Sequence, residues 1–289
     1  MAIHSLLCYN GQIIPATQAF GHAGQVGLLS GWGVFSTLRM MQGIPFAFDR
    51  HWQRLSRDAK LLNVKLPRDP AKVEADLRRL AAANHAPGST LRLVIVRNGG
   101  GMWTGPGSGE ESDIIAMTAD SKDWGDSARL MVQANGRFAA GEFAGAKILS
   151  WAHNLTWAER ASLSGYDEAI LLNEHGRVSE CTSANIFAAF GNDMLTPPLS
   201  DGCLPGITRE VLLGEIHLPR IRVLERGLTL DDLYRADEVC ITSTTRDLLS
   251  VREIEGRPLR PTGDLRARLT TAFREFSAAW IARRQGGES

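Results

Sequence analysis

The sequence predicts an α+β chain of two domains, and three observations lead there. With 289 residues, 44% of them hydrophobic, the chain is long enough to bury two separate cores. Residues 1–120 mix strand-like runs with two amphipathic helical runs, whereas the second half is mostly short strands divided by turns. Between them the polar, strand-free stretch 121–126 reads as a linker, giving a smaller domain over 1–120 and a larger one over 127–289.

Residues 6–9 and 12–14 form a hairpin pattern around Asn10-Gly11, a pair that supplies the left-handed backbone of a tight turn. The glycine-rich stretch 21–33 leads into a strand over 34–41 and the turn Gln42-Gly43. After residues 45–48, Trp52, Leu55, Ala59 and Leu62 recur at helical spacing and predict a helix over 50–62. A second helix covers 70–84 and ends at the breaker Ala86-Pro87-Gly88. Strands follow at 91–96 and 114–118, joined by the glycine-rich loop 98–109. Past the linker, a strand at 129–133 precedes Lys147 and a helix over 151–164. A meander comes next, with strands at 168–172, 177–190 and 194–197 and turns at Glu174-His175-Gly176 and Gly191-Asn192. Pro205-Gly206-Ile207-Thr208-Arg209 opens a helix reaching about residue 216, with Thr208 supplying the capping side chain. Strands near 222–225 and 238–241 flank residues 231–234, and a terminal helix closes the chain near Trp280.

Composition narrows the partners. Lys+Arg 32 balances Asp+Glu 32 with no run of like charge, which removes the electrostatic footprint of a nucleic-acid binder or a polybasic membrane binder. A small-molecule partner is expected. Cys8, Cys181, Cys203 and Cys240 are scattered, without C-x-x-C spacing or a histidine cluster, so neither a zinc site nor a disulfide framework is indicated and a reducing cytoplasm is expected. The N-terminus lacks a basic region followed by an apolar core, and no stretch is apolar for long enough to span a bilayer.

Chemistry centres on Lys147, an amine among small and apolar residues in Phe143-Ala144-Gly145-Ala146-Lys147-Ile148-Leu149. The remaining lysines, Lys60, Lys65, Lys72 and Lys122, stand in surface-like contexts. Desolvation weakens an amine's preference for its proton and makes it a nucleophile for imine formation, although a lysine at a strand end can also snorkel to solvent. Two segments are candidate phosphate cradles without the G-x-x-x-x-G-K pattern of a nucleotide loop. Gly206-Ile207-Thr208 starts a helix, where free N–H groups and the dipole favour an anion, and Thr242-Ser243-Thr244-Thr245 follows an apolar strand. Taken singly, the first is equally an ordinary cap and the second a polar turn. Arg54 can add positive charge or stand in solvent. Glu180 lies in the run 178–187, where polar residues break strand alternation. A carboxylate there can keep the ring nitrogen of a pyridine cofactor protonated, or sit at a solvated edge.

The motifs in order are Asn10-Gly11, Gly31-x-Gly33-Val34-Phe35, His51-x-x-Arg54-Leu55, Gly145-x-Lys147, Asp167-Glu168-Ala169, Glu180-x-x-x-x-Asn185-Ile186-Phe187, Gly206-Ile207-Thr208-Arg209 and Thr242-Ser243-Thr244-Thr245. The series resembles the class IV (fold-type IV) aminotransferase family, dependent on pyridoxal 5'-phosphate (PLP), over nearly the whole chain. Members include branched-chain and D-amino-acid aminotransferases, R-selective amine transaminases and aminodeoxychorismate lyase. The resemblance implies a smaller α/β N-terminal domain, a larger β-barrel-like C-terminal domain with helices, PLP between them, and a partner subunit's loop closing the site; a homodimer is expected. Lys147 matches the lysine that binds PLP covalently and shuttles the substrate proton, and Glu180 the partner of the pyridine nitrogen. Arg54, Ile207, Thr208 and Thr244 match the phosphate cup, with Ser243 beside it, and Leu204 the residue packed on the ring.

The same resemblance implies substrate residues. Arg39 and Arg92 resemble branched-chain aminotransferase positions, Arg97 followed by glycines resembles the D-amino-acid enzyme and the lyase, and Phe35 and Thr245 complete the set. Ser36 stands where the branched-chain pattern has Glu, and Phe35 where the D-amino-acid pattern has Tyr. That strand, residues 143–147 and Glu180-Cys181 are most similar to the lyase, while the hydroxyl run and Gly206–Arg209 are similar to transaminases. The reading is a transaminase moving an amino group between a branched-chain or glutamate-like amino acid and a 2-oxo acid. Aminodeoxychorismate lyase, releasing 4-aminobenzoate and pyruvate, is the alternative, followed by D-amino-acid or R-amine transamination and non-catalytic PLP binding.

Overall fold

The fold was obtained as a computed structural model, which describes residues 2–22, 24–102 and 110–286. The chain divides into two compact units, the first comprising Met1–Lys122, Lys147–Trp151 and Ala279–Ser289, the second Asp123–Ala146 and Ala152–Ala278.

The first unit carries β1 (Ile3–Tyr9), β2 (Gln12–Pro15), α1 (Val26–Ser30), β3 (Gly33–Met41), β4 (Ile44–Pro45), α2 (Phe48–Leu61), α3 (Pro70–Ala83), β5 (Thr90–Arg97) and β6 (Ser112–Ala119). The strands form one antiparallel sheet in the order β2-β1-β6-β5-β3-β4. Strand periodicity divides its side chains. Val34, Leu38 and Met40 of β3 and Leu91, Leu93 and Ile95 of β5 are buried with Leu55 and Ala59 of α2 and Leu77 and Leu80 of α3. The alternate positions put Phe35, Val94 and Val96 into a second cluster on the other face. The expected Asn10-Gly11 turn has both residues at positive φ, 49° and 81°. Residues 103–109 of the expected 98–109 loop lie outside the described residues.

The unit's short insertion, Lys147–Trp151, is held by backbone pairing. β4 pairs only with Met40 and Met41, which leaves the first half of β3 with one free edge. Lys147–Leu149 occupies it: Phe35 N donates to Lys147 O at 3.1 Å and Leu149 N to Gly33 O at 2.9 Å, with a bridge between Val34 and Ile148. The approach requires glycine at position 33, where a Cβ would lie 2.5 Å from Ile95 O and 2.6 Å from the Leu149 side chain.

The second unit holds β7 (Ser127–Gln133), α4 (Ala152–Leu163), β8 (Glu168–Leu172), β9 (Val178–Cys181), β10 (Asn185–Phe190), β11 (Asp193–Thr196), α5 (Ile207–Gly214), β12 (Arg222–Glu225), α6 (Leu230–Arg235), β13 (Glu238–Ser243), β14 (Asp247–Ile254) and β15 (Arg257–Pro258). The terminal helix α7 (Leu265–Gln285) follows. The sheet runs β12-β11-β10-β13-β14-β7-β8-β9, with β15 on β14. It is strongly curled, and connectivity shows why. β9 ends at Cys181 and β10 starts at Asn185, four residues that reach at most about 14 Å. In a flat sheet these strands would stand five spacings, about 24 Å, apart. The curl encloses a core that includes Leu130, Ile170, Ile186, Ile241 and Val251.

Several expectations need correction here. The single strand expected over 177–190 is β9 and β10, because Thr182 and Ser183 turn their hydroxyls to the Glu168 carboxylate at the break. α5 is capped by Gly206 without a side-chain bond, so Thr208 lies inside its first turn instead of capping it. Residues 231–234 fall within α6, and β14 is a strand the sequence reading lacked. Among the described residues no helix is long and apolar enough to cross a membrane, and no group of His, Cys, Asp or Glu is arranged to hold a metal.

Candidate active site

In the first unit, β3, α2 and Lys147–Trp151 bring together one set of expected residues. Lys147 Nζ lies 4.6 Å from the centre of the Phe35 ring and 5.4 Å from that of Trp151, two rings in edge contact at 5.5 Å. The Arg92 guanidinium lies over the same rings, at 3.9 and 5.9 Å. Burial pulls the Arg92 pKa below its usual value, yet a guanidinium stays charged near neutrality. Among the described residues, Arg92 has no carboxylate within ion-pair distance. Lys147 is fixed from behind by its backbone N–H, which donates to Asp58 Oδ2 on α2 at 3.0 Å. The four lysines expected at the surface are all exposed, whereas Lys147 is half-buried.

Arg54 is 8% exposed and belongs to a buried network. Its Nη2 donates to Ser36 Oγ at 2.9 Å, and Ser36 lies 2.7 Å from His51 Nδ1. Burial first, then the charges of Arg54 and Lys147, push the His51 pKa well below its usual value, so the ring is neutral. Arg54 Nη2 also lies 3.4 Å from His51 Nδ1, and His51 Nε2 is buried without a partner among the described residues. Arg39 lies on the Phe35 face of β3, four residues along. Arg97 is placed differently: it stacks on Trp32 at 4.2 Å and donates to the carbonyls of Gly99 and Asn63.

The second unit gathers the remaining residues. Glu180 on β9 uses both carboxylate oxygens, accepting from Arg137 Nη2 at 2.6 Å and from Leu204 N at 3.0 Å. Asn185, at the start of β10, donates to Leu204 O at 2.8 Å. Gly206 lies so close to Asn185 that a Cβ would stand 2.0 Å from Oδ1. Asn185 in turn pairs with Thr242 at the end of β13, and α5 packs on β13. Ile207 and Thr208 thus begin α5 beside the strand that ends in Ser243, Thr244 and Thr245. Ser243 and Thr245 share a hydroxyl contact of 3.4 Å, and Thr242 Oγ1 is buried without a partner among the described residues. The donors offered are the free N–H groups of a helix start plus hydroxyls, a set suited to a phosphate.

Sequence reasoning overlooked Ser36, Arg137 and Trp151 as site components and used His51 and Asn185 only as motif letters. Arg137 sits between secondary-structure elements with no periodic signal, so its pairing to Glu180 emerges only from the fold.

Residues 33–254 match the class IV aminotransferase family, and the chain belongs to it. Its family cofactor is PLP. The chain is 30% identical over 276 residues to a protein of Methanocaldococcus jannaschii named "Putative branched-chain-amino-acid aminotransferase", covering 94% of this chain and 96% of the relative. It is 27% identical over 269 residues to the D-alanine aminotransferase of Bacillus licheniformis, covering 87% and 89%. The crystal structure of Escherichia coli branched-chain amino acid aminotransferase superimposes with a TM-score of 0.85 and 25% identity, covering 95% of both chains.

Proposed function

We propose that this aminotransferase moves an amino group between an α-amino acid, branched-chain or glutamate-like, and a 2-oxo acid. The observation that carries the reading is the placing of Lys147 Nζ and the Arg92 guanidinium over the same Phe35–Trp151 pair. One group is a nucleophilic amine; the other is a cation with no carboxylate of its own among the described residues. A substrate carrying both an amine and a carboxylate answers both.

When bound, PLP supplies an electron sink that withdraws the pair released at the substrate Cα. Lys147 would be its covalent anchor, and once freed its Nζ would take the proton from the substrate Cα and deliver it to the cofactor carbon that Nζ had occupied. Glu180, kept in place by Arg137 and Leu204 N, would accept the hydrogen bond of the protonated ring nitrogen, and the Leu204 side chain would pack on the ring. Ile207, Thr208, Ser243 and Thr244 would hold the phosphate, with Arg54 adding charge. Phe35, Arg39, Arg92 and Thr245 form the substrate set, with Arg92 the carboxylate ligand, whereas Arg97, stacked on Trp32 and bonded to two carbonyls, is left out of it.

A homodimer in the cytoplasm belongs to the same reading. Leu155 and Leu163 on α4 are 55% and 83% exposed and Phe138 64%, apolar side chains of the kind a second copy would cover. All four cysteines are buried and free, as a reducing compartment allows. Light scattering at twice the chain mass is expected. A second reading, aminodeoxychorismate lyase, draws support from the two aromatic rings, which suit a ring-bearing substrate.

The test is the visible spectrum of the PLP-loaded protein with single amines, L-leucine, L-glutamate, D-alanine or R-1-phenylethylamine, and no keto acid. Bleaching of the lysine-bound cofactor band by L-leucine or L-glutamate is expected. No bleaching by any of them, with pyruvate released from aminodeoxychorismate, would replace transamination by the lyase. Lys147→Ala should remove both the band and turnover, and retained turnover would sink the assignment of Lys147.

A further inference from the structure

The motif residue Glu168 has no part in the site described above, and neither has Arg246, just past the hydroxyl run. The two form a buried ion pair. Arg246 Nη2 lies 3.0 Å from Glu168 Oε2, with the side chains 5% and 3% exposed. Their surroundings contain more than the pair. Arg246 donates from Nη1 to Ser183 O at 3.1 Å and from Nη2 to Ser183 Oγ at 3.0 Å. Ser183 Oγ donates to Glu168 Oε2 at 2.6 Å, and Thr182 Oγ1 to Oε1. Thr182 N also bonds Ala169 O at 3.0 Å, and Asn154 of α4 donates to Thr182 O at 2.7 Å. The guanidinium lies 3.7 Å from the centre of the Trp124 ring.

The network adds a side-chain tie to three segments whose neighbouring strands are already paired, β8 with β9 and β10 with β13: the start of β8, the break between β9 and β10, and the turn between β13 and β14. The break begins two residues after Glu180. The turn consists of Ser243, Thr244, Thr245 and Arg246, closed by Arg246 N donating to Ser243 O at 3.2 Å. A buried charge pair is weak evidence of added stability, since desolvation offsets much of the attraction; its better-attested use is to specify one arrangement. Here the specified arrangement is that of two cofactor-facing segments.

We propose that Arg246 is a positioning residue that, through Glu168 and Ser183, fixes the Ser243–Thr244 hydroxyls for the phosphate end of the cofactor. The proposal rests on the assignment of those hydroxyls to the phosphate. Arg246 reaches the phosphate only through the turn it closes, so its removal should lower affinity for the phosphorylated cofactor selectively.

The experiment titrates the full-length, cofactor-freed chain with PLP and with pyridoxal, which lacks the phosphate. The readout is the ratio of the two affinities in parent, Arg246→Lys, Arg246→Met and Thr244→Ala. Arg246→Met should lower the ratio about tenfold, the size of one lost hydrogen bond to a charged group. Arg246→Lys keeps the charge near Glu168 but cannot donate to Ser183 O and Glu168 from a planar fork; it remains informative if Arg246→Met does not fold and should lower the ratio several-fold. A merely structural role would depress both affinities together and leave the ratio unchanged. If Thr244→Ala lowers the ratio and folded Arg246→Lys does not, positioning by Arg246 is refuted while the phosphate assignment stands. An unchanged ratio in Thr244→Ala removes Thr244 from the phosphate and overturns the proposal with it.

Discussion

Gly206→Ala isolates the geometry of the proposed phosphate cradle. Gly206 has φ −69° and ψ 144°, a conformation alanine adopts freely, so no backbone strain enters. The effect is purely steric. The new Cβ would stand 2.0 Å from Asn185 Oδ1, where ordinary contact begins at 3.4 Å, a shortfall of 1.4 Å. Asn185 is 5% exposed and holds Leu204 O at 2.8 Å, so making room breaks that bond and releases Leu204, whose N–H is bonded to Glu180. Overpacking of about 1–3 kcal/mol and about 1 kcal/mol for the lost hydrogen bond together give a loss of about 2–4 kcal/mol. With an m value of about 3 kcal/mol/M, the urea midpoint of the cofactor-free protein should fall by about 1 M. The companion measurement is a double-mutant cycle with Asn185→Ala, which removes the clashing atom: Gly206→Ala should cost much less in that background. Destabilisation within ~0.5 kcal/mol of zero, or strict additivity in the cycle, would refute the contact and with it this account of why glycine stands at the helix start.

Arg92→Gln should raise KM for amino acids, lowering kcat/KM about 10- to 100-fold by loss of a charge-assisted carboxylate bond, while leaving R-1-phenylethylamine unaffected if that amine is accepted; equal effects on both, by steady-state kinetics, would exclude Arg92 as the carboxylate ligand. Thr208→Ala should weaken PLP retention, measured by dialysis and absorbance, and identical affinity would remove Thr208 from the cup. Asp113 links Tyr9, Asn10 and Gln25 through bonds of 2.6–2.8 Å. Burial pushes its pKa up, but hydrogen bonds from Asn10, Tyr9, Asn98 and Gln25 outweigh burial and hold it below the usual carboxylate value. Its stabilisation is therefore complete above the unfolded-state value of about 4 and is lost as pH falls through the lower folded-state value. Asp113→Asn should flatten that acid limb of stability in urea titrations below about pH 4, and an unchanged limb would show that Asp113 does not carry it.

How much was legible in the sequence depended on the range of the interaction. The helices α2 and α3 and the hairpin around Asn10-Gly11 follow from local periodicity and turn chemistry, and they stand close to where those signals put them. Lys147 was visible as a lone amine in small surroundings, and the hydroxyl run by composition alone. What stayed hidden needed partners distant in sequence. The break between β9 and β10 is set by Glu168, 14 residues before Thr182, and the bond to Glu180 comes from Arg137, 43 residues earlier. The backbone pairing that holds Lys147 joins it to Phe35, and no periodicity in either segment announces that edge.

The treatment of charge gives the same lesson a functional form. Arg137, Arg209 and Arg246 in the second unit each meet a carboxylate, Glu180, Glu225 and Glu168. Such pairing cancels most of the field a cation projects, which suits groups whose task is to hold strands and turns in place. Arg92 meets ring faces instead. An aromatic quadrupole attracts a cation without neutralising it, so the guanidinium is oriented while its charge remains available. A sequence shows that an arginine is present; whether its charge is spent on the protein or kept for a ligand is decided by its neighbours in the fold. Arg92 is oriented and unspent among the described residues, beside the amine of Lys147, and this difference from the paired arginines is the physical ground for assigning it to a substrate carboxylate.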